Sequence, residues 1–77
     1  MVVAVNEKVK VGMSDAPKWV QWKLCIYKIQ EVGFHYTLRE GRILYHLFSV
    51  NTETLYMKLS FNTETLGWRL LEVENGI

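Results

Sequence analysis

Apolar and polar residues alternate in short runs along almost the whole chain, and no segment holds the 3.6-residue spacing of a helix. Val, Ile, Tyr, Trp, Phe and Thr, which favour strands, fill those runs. Val3 to Val11 reads as one or two short strands around Asn6 and Glu7. Gly12 to Pro17 is the one clear loop, with Pro17 at its end. From Trp19 to Gln30 the chain is extended in two alternating sets, Val20/Trp22/Leu24 and Tyr27/Ile29, whose phase slips by one residue. A bulge or tight turn at Lys23-Leu24-Cys25 accounts for the slip. Phe34 to Leu38 forms the next strand.

The C-terminal half contains a direct repeat. Ser49-Val50-Asn51-Thr52-Glu53-Thr54-Leu55-Tyr56-Met57-Lys58-Leu59 is followed at once by Ser60-Phe61-Asn62-Thr63-Glu64-Thr65-Leu66-Gly67-Trp68-Arg69-Leu70. Each copy predicts a strand entering a tight Asn-Thr-Glu-Thr turn, with the Asn side chain closing the turn. That structural role outweighs a ligand-binding role for the loop. A four-residue loop at Asn51–Thr54 pairs Phe48 with Met57 and Leu44 with Phe61. Its copy pairs Leu59 with Trp68 and Met57 with Leu70. For the preceding hairpin, a three-residue loop with Gly41 left-handed pairs Tyr36 with Leu44 and Phe34 with His46. It sets Phe34, Tyr36 and Leu38 beside Leu44, Phe48 and Val50, whereas a loop pairing Tyr36 with Tyr45 sends them to the opposite face. The first register is preferred because it gathers one apolar surface: Phe34, Tyr36, Leu38, Leu44, Phe48, Val50, Leu55, Met57, Leu59, Phe61, Leu66, Trp68 and Leu70.

The other surface is mixed: His35, Thr37, Ile43, Tyr45, Leu47, Ser49, Tyr56, Lys58, Ser60, Arg69, Leu71 and Val73. A solvated sheet face alternates more cleanly to polar residues. Cover by the N-terminal strands or curling into a barrel is favoured over cover by a partner. The expected architecture is therefore all-β, an antiparallel meander of five or six strands, curled or small barrel-like. It occupies residues 1–77 as one small domain.

Composition agrees. With 49% hydrophobic and 13% aromatic residues in 77, the chain is too apolar for disorder yet short enough for only a small core. The formal charge is only +1, well short of a basic nucleic-acid footprint. A single cysteine, Cys25, leaves no internal disulfide and no Cys-rich zinc site. The lone thiol, the lack of a secretory signal pattern and the lack of an apolar span predict a cytoplasmic protein with no membrane association.

Chemistry is sparse. The two histidines, His35 and His46, fall on opposite faces in this register, so they form no metal pair. Cys25, among Leu24, Ile26 and Tyr27, reads as a buried, inert thiol. Glu53 and Glu64 occupy successive turns at opposite ends of a meander, roughly 20 Å apart, too far for the about 5–10 Å of a paired acid and base. No catalytic, cofactor or metal residue is predicted, and the chain reads as a non-enzyme. Trp68 reads as core, while Trp19 and Trp22 cannot both point inward and Trp19 is the candidate exposed anchor. The candidate binding surface is Trp19, Arg42, Tyr45, Tyr56, Lys58 and Arg69. A protein partner or a homodimer suits it best. Aromatic and basic residues on one sheet face give the alternative, single-stranded nucleic acid, weaker support.

Pro17-x-x-Val20-x-Trp22-x-Leu24-x-x-Tyr27-x-Ile29, with Gly67-Trp68-Arg69-Leu70 near the end, resembles a family of short bacterial all-β domains of unknown function. The resemblance covers about Pro17 to Asn75. Leu24 stands where the family has a turn glycine and Asn62 where it has aspartate. Some members accompany error-prone DNA polymerases, so the resemblance implies an accessory role around DNA repair and no catalytic residue.

Overall fold

Six strands follow one another in chain order, and each pairs antiparallel with its neighbours: β1 (Val2–Met13), β2 (Pro17–Trp22), β3 (Cys25–Glu40), β4 (Ile43–Thr52), β5 (Leu55–Asn62) and β6 (Trp68–Asn75). The computed structural model describes residues 1–75. The meander closes into a ring because β1 also pairs with β6, so the expected all-β meander is what forms. The N-terminal strand lies edge to edge in the sheet and not across a face.

Two strands are long because each serves two sheets. The first part of β1 pairs with β6 from Val2 to Val9, and its end pairs with β2 from Lys10 to Met13. β3 starts against β2 at Cys25–Lys28 and continues against β4 from Ile29 to Glu40. Bulges let them bend. β1 breaks register between Ala4 and Glu7, where Asn6 is left-handed, and β3 breaks it between Ile29 and Glu31 and again between Val32 and Phe34. The ring thus encloses one core, Val20, Phe48, Val50, Met57, Leu59 and Leu70, with Val9, Tyr27, Val32, Phe61, Trp68 and Val73 packed around it. Each fully buried aliphatic side chain contributes about 1.5–3 kcal/mol.

The turns explain which expectations fail. Lys23 and Leu24 both adopt positive φ between Trp22 and Cys25, the geometry of a type I′ turn. This is the tight turn the phase slip predicts, made without the usual glycine. At the β3–β4 hairpin the loop is two residues long: Glu40 pairs with Ile43, and Gly41 alone of the central pair is left-handed. That is the arrangement of a type II′ turn, which takes Gly first. Tyr36 therefore lies opposite Leu47 and Phe34 opposite Ser49. The expected pairing of Tyr36 with Leu44 is wrong, and Phe34, Tyr36 and Leu38 lie outside. The bulge at Gly33 permits this: Val32 still faces inward opposite Val50, and the extra residue turns Phe34 outward.

In the repeat, the faces are as expected for β4 and β5, but the registers move by two. Val50 pairs with Met57, Phe61 with Trp68, and Leu59 with Leu70. The two copies also close differently. In the first, Thr52 and not Asn51 holds the turn: its Oγ1 accepts from Leu55 N (3.0 Å) and Thr54 N (3.3 Å) and donates to Leu55 O (3.1 Å). In the second, Asn62 Oδ1 accepts from Glu64 N (2.8 Å) and Thr65 N (3.2 Å). The second loop is longer, with Asn62 N donating to Gly67 O, so Leu66 sits exposed at φ 61 and not in the core. Leu71 is an extra residue between the Leu59–Leu70 and Lys58–Glu72 pairs. It brings Val73, expected on the outer face, back to the core.

Candidate docking face

The outer surface of the β3–β6 sheet is built in rows. Tyr36, Leu47, Ser60 and Arg69 lie side by side across four strands, and Lys8 of β1 continues the row. Leu38 and Tyr45 form the row nearest the β3–β4 turn. Phe34, Ser49, Lys58 and Glu72 form the row on the other side. Strand alternation places these side chains together, and the odd register of the two-residue Gly41–Arg42 turn brings β3 into phase with β4.

This surface is apolar to a degree a solvated sheet is not. Phe34 is 72% exposed, Tyr36 45%, Leu38 46% and Tyr56 49%. Leu47, beneath Tyr36, is buried on this outer side and takes no part in the ring core. The Lys58 ammonium stands 5.9 Å from the Tyr36 ring centroid, within the reach of a cation–π contact. A groove of about 480 Å³ runs beside Tyr45, between Lys8, Ser60 and Arg69. Glu72 lies opposite Lys58, and Glu74 opposite Tyr56.

Of the residues expected at a binding surface, Tyr45, Tyr56, Lys58 and Arg69 share this face. Arg42 lies in the turn at its end and is exposed. Trp19 is elsewhere, on β2, opposite Gly12 and Lys28. Its indole lies over Gly12 so closely that a methyl group there would fall inside the ring. Trp19 is 37% exposed and covers a glycine in the sheet. Phe34, Tyr36 and Leu38 are the residues sequence reasoning assigned to the wrong side; their signal was Gly41, the glycine a two-residue type II′ turn takes first.

The histidines also depart from expectation. His35 and His46 share the inner face, with His35 Nε2 and His46 Nδ1 2.8 Å apart. His35 stacks on Phe48 at 4.3 Å between centroids. His46 and Trp68 both approach Phe61. A single proton fits between the two nitrogens, so one ring donates and the other accepts. Among the described residues no group of three or more His, Cys, Asp or Glu converges. Two imidazoles fall short of the three or four protein ligands of a zinc site. Cys25 is exposed and not buried, because it flanks the protruding Lys23–Leu24 turn. Trp22 Nε1 donates to Glu7 Oε1 at 3.2 Å, tying the outer end of β2 to β1. Burial, and secondarily the neighbouring Cys25, raises the Tyr27 pKa above its ordinary value.

No helix of the described residues is long and apolar enough to cross a membrane. No protein-family profile, curated protein or solved structure matches the chain.

Proposed function

We propose that this domain is a non-enzymatic docking module that binds a protein through the outer face of β3–β6. One observation carries the reading: Phe34, Tyr36, Leu38 and Tyr56 stand exposed on one sheet face, with Tyr36 beside a buried Leu47. Aromatic anchors ringed by polar groups are the composition of protein-binding hot spots. Lys58 and Arg69 supply the polar rim. The resemblance of the Pro17–Ile29 and Gly67–Leu70 segments to accessory β domains supports a role beside DNA repair, and the lone thiol of Cys25 suits a cytoplasmic setting.

The test is the double variant Tyr56→Ala with Arg69→Ala. Both side chains are exposed, so the folded ring should survive with unchanged thermal unfolding while association is lost. If sedimentation and pull-down behaviour match those of the parent protein, the face is not the docking surface.

The second reading is single-stranded nucleic acid on the same face. It is motivated by Lys58 over Tyr36 and by Lys8 and Arg69 beside Tyr45. Glu72 and Glu74 in the same rows disfavour a phosphate backbone, which is why protein docking stands first. A labelled oligonucleotide titrated at two ionic strengths decides the matter: this reading demands binding that falls steeply with salt, and no binding at low salt removes it.

A further inference from the structure

The ring leaves one long strand edge without a neighbour. β3 contacts only β2 and β4, and its β2 ladder stops at Lys28. Among the described residues, the side of β3 away from β4 therefore has no strand beside it from Ile29 to Glu40. A row of unpaired N–H and C=O groups on such an edge is a template for another strand. β1 offers a second free edge along Val2–Val9, but its ladder breaks between Ala4 and Glu7. The β3 ladder is unbroken from Phe34 to Glu40, so this edge is the longer straight one.

The hairpin turn fixes which groups it presents. Glu40 and Ile43 close a two-residue turn, so they form a hydrogen-bonded pair. Counting back in twos along β3, Leu38, Tyr36 and Phe34 also hydrogen-bond to β4. The N–H and C=O groups of His35, Thr37 and Arg39 then point to the open side.

We infer that this edge pairs antiparallel with the same edge of a second copy, about a two-fold axis at Thr37. The inference goes beyond the docking reading above, since it concerns the edge of the sheet and not its outer face. Among self-pairings of these three residues, only the one centred on Thr37 uses all of them. Thr37 meets Thr37 of the second copy, and His35 meets Arg39 in both directions, for about six backbone hydrogen bonds. Between those pairs lie Tyr36 and Leu38, each facing the other residue type of the second copy. They occupy the non-hydrogen-bonded positions, where side chains approach most closely. The axis keeps the outer faces of both copies on one side, so two exposed apolar stripes become continuous. A heterologous strand would satisfy the backbone groups equally well; a second copy also brings its own exposed Tyr36 and Leu38 against those of the first. A seven-residue pairing lies at the small end of stable interfaces, so the dimer forms in proportion to concentration.

Amide hydrogen exchange on the unaltered protein, followed with sedimentation velocity from low micromolar to millimolar concentration, tests it. The expected result is a monomer–dimer equilibrium in which the amides of His35, Thr37 and Arg39 slow by about tenfold at the concentrated end, while those of Phe34, Tyr36 and Leu38 are protected throughout. Thr37→Pro removes an N–H that β4 does not use, and proline is tolerated at an outward-facing edge position. That variant should stay monomeric. A protein monomeric at every concentration overturns the inference. So does a dimer whose odd-numbered β3 amides exchange unchanged, or one that Thr37→Pro leaves intact. In the last two cases the Tyr56→Ala/Arg69→Ala face remains a separate question, since neither residue lies on β3.

Discussion

Replacing Thr52 by valine keeps the shape of the side chain and removes only its hydroxyl. Thr52 is 7% exposed, and that hydroxyl makes every side-chain contact closing the first repeat turn: two accepted from Thr54 N and Leu55 N, one donated to Leu55 O. A net contribution of about 0.5–1.5 kcal/mol per hydrogen bond, partly offset by water reaching the exposed Thr54 amide, gives a loss of about 2 kcal/mol. The neighbouring Asn51→Ala removes one exposed contact, Asn51 Nδ2 to Glu31 Oε1 at 3.3 Å, and should cost about 0.5 kcal/mol or less. In the second copy the asparagine closes the turn. Asn62→Ala strips two backbone amides of their acceptor and should cost about 1 kcal/mol, like a lost helix cap. Urea unfolding followed by tryptophan fluorescence measures all three. With a slope of about 1 kcal/mol/M for a chain this small, Thr52→Val moves the midpoint down by roughly 2 M and Asn51→Ala hardly at all. Equal losses at Asn51 and Asn62, or a neutral Thr52→Val, would refute the claim that sister turns close by different residues.

Leu24→Gly should stabilise the domain by about 1 kcal/mol, because Leu24 is almost fully exposed at φ 65 and only its backbone geometry matters; a lower melting temperature contradicts this. Leu59→Ala, at a fully buried position in the middle of the ring, should cost about 2–5 kcal/mol by equilibrium unfolding, and a loss under 1 kcal/mol would place Leu59 outside the core. Tyr27 should deprotonate above the ordinary tyrosine value in a tyrosinate absorbance titration. Its fold-raised pKa favours the neutral phenol. That stability is present below the unfolded value of about 10 and is lost as pH climbs through the folded one; a Tyr27→Phe variant with the same alkaline unfolding curve argues against it.

Strand positions are legible in this chain because alternation survives in each run, and the faces of β4 and β5 follow from Phe48, Val50, Met57 and Leu59 whatever the exact loop length. A register error of two residues leaves every side chain on its own face; an error of an odd number does not. That difference separates the repeat hairpins, where Val50 and Met57 share the core as expected, from the β3–β4 hairpin, where Phe34, Tyr36 and Leu38 were expected inside. The assumption that the largest apolar set must be the core failed because the bulge at Gly33 hands the inward role to Val32. Bulges leave little mark in a sequence: Leu71 and Gly33 have no neighbour pattern that announces an unpaired residue. The candidate face was half visible. Alternation puts Tyr45, Tyr56, Lys58 and Arg69 on the outer face, where they lie, but that one odd step hides their neighbours on β3 and also brings His35 to His46.

The seam between β1 and β6 is unlike every other ladder in the ring. The remaining five join strands adjacent along the chain, which can zip from a turn. This one joins Val2 to Glu74 and Val9 to Trp68, so its formation must overcome the entropy of closing most of the polypeptide into a loop, about 4 kcal/mol. Local hairpins should be in place before that happens. Weakening the seam, for instance with Val9→Ala, should then accelerate opening in a chevron experiment and leave the folding limb nearly untouched. How long the ring stays shut is a property of its two outermost strands, and how quickly it assembles belongs to the four between them.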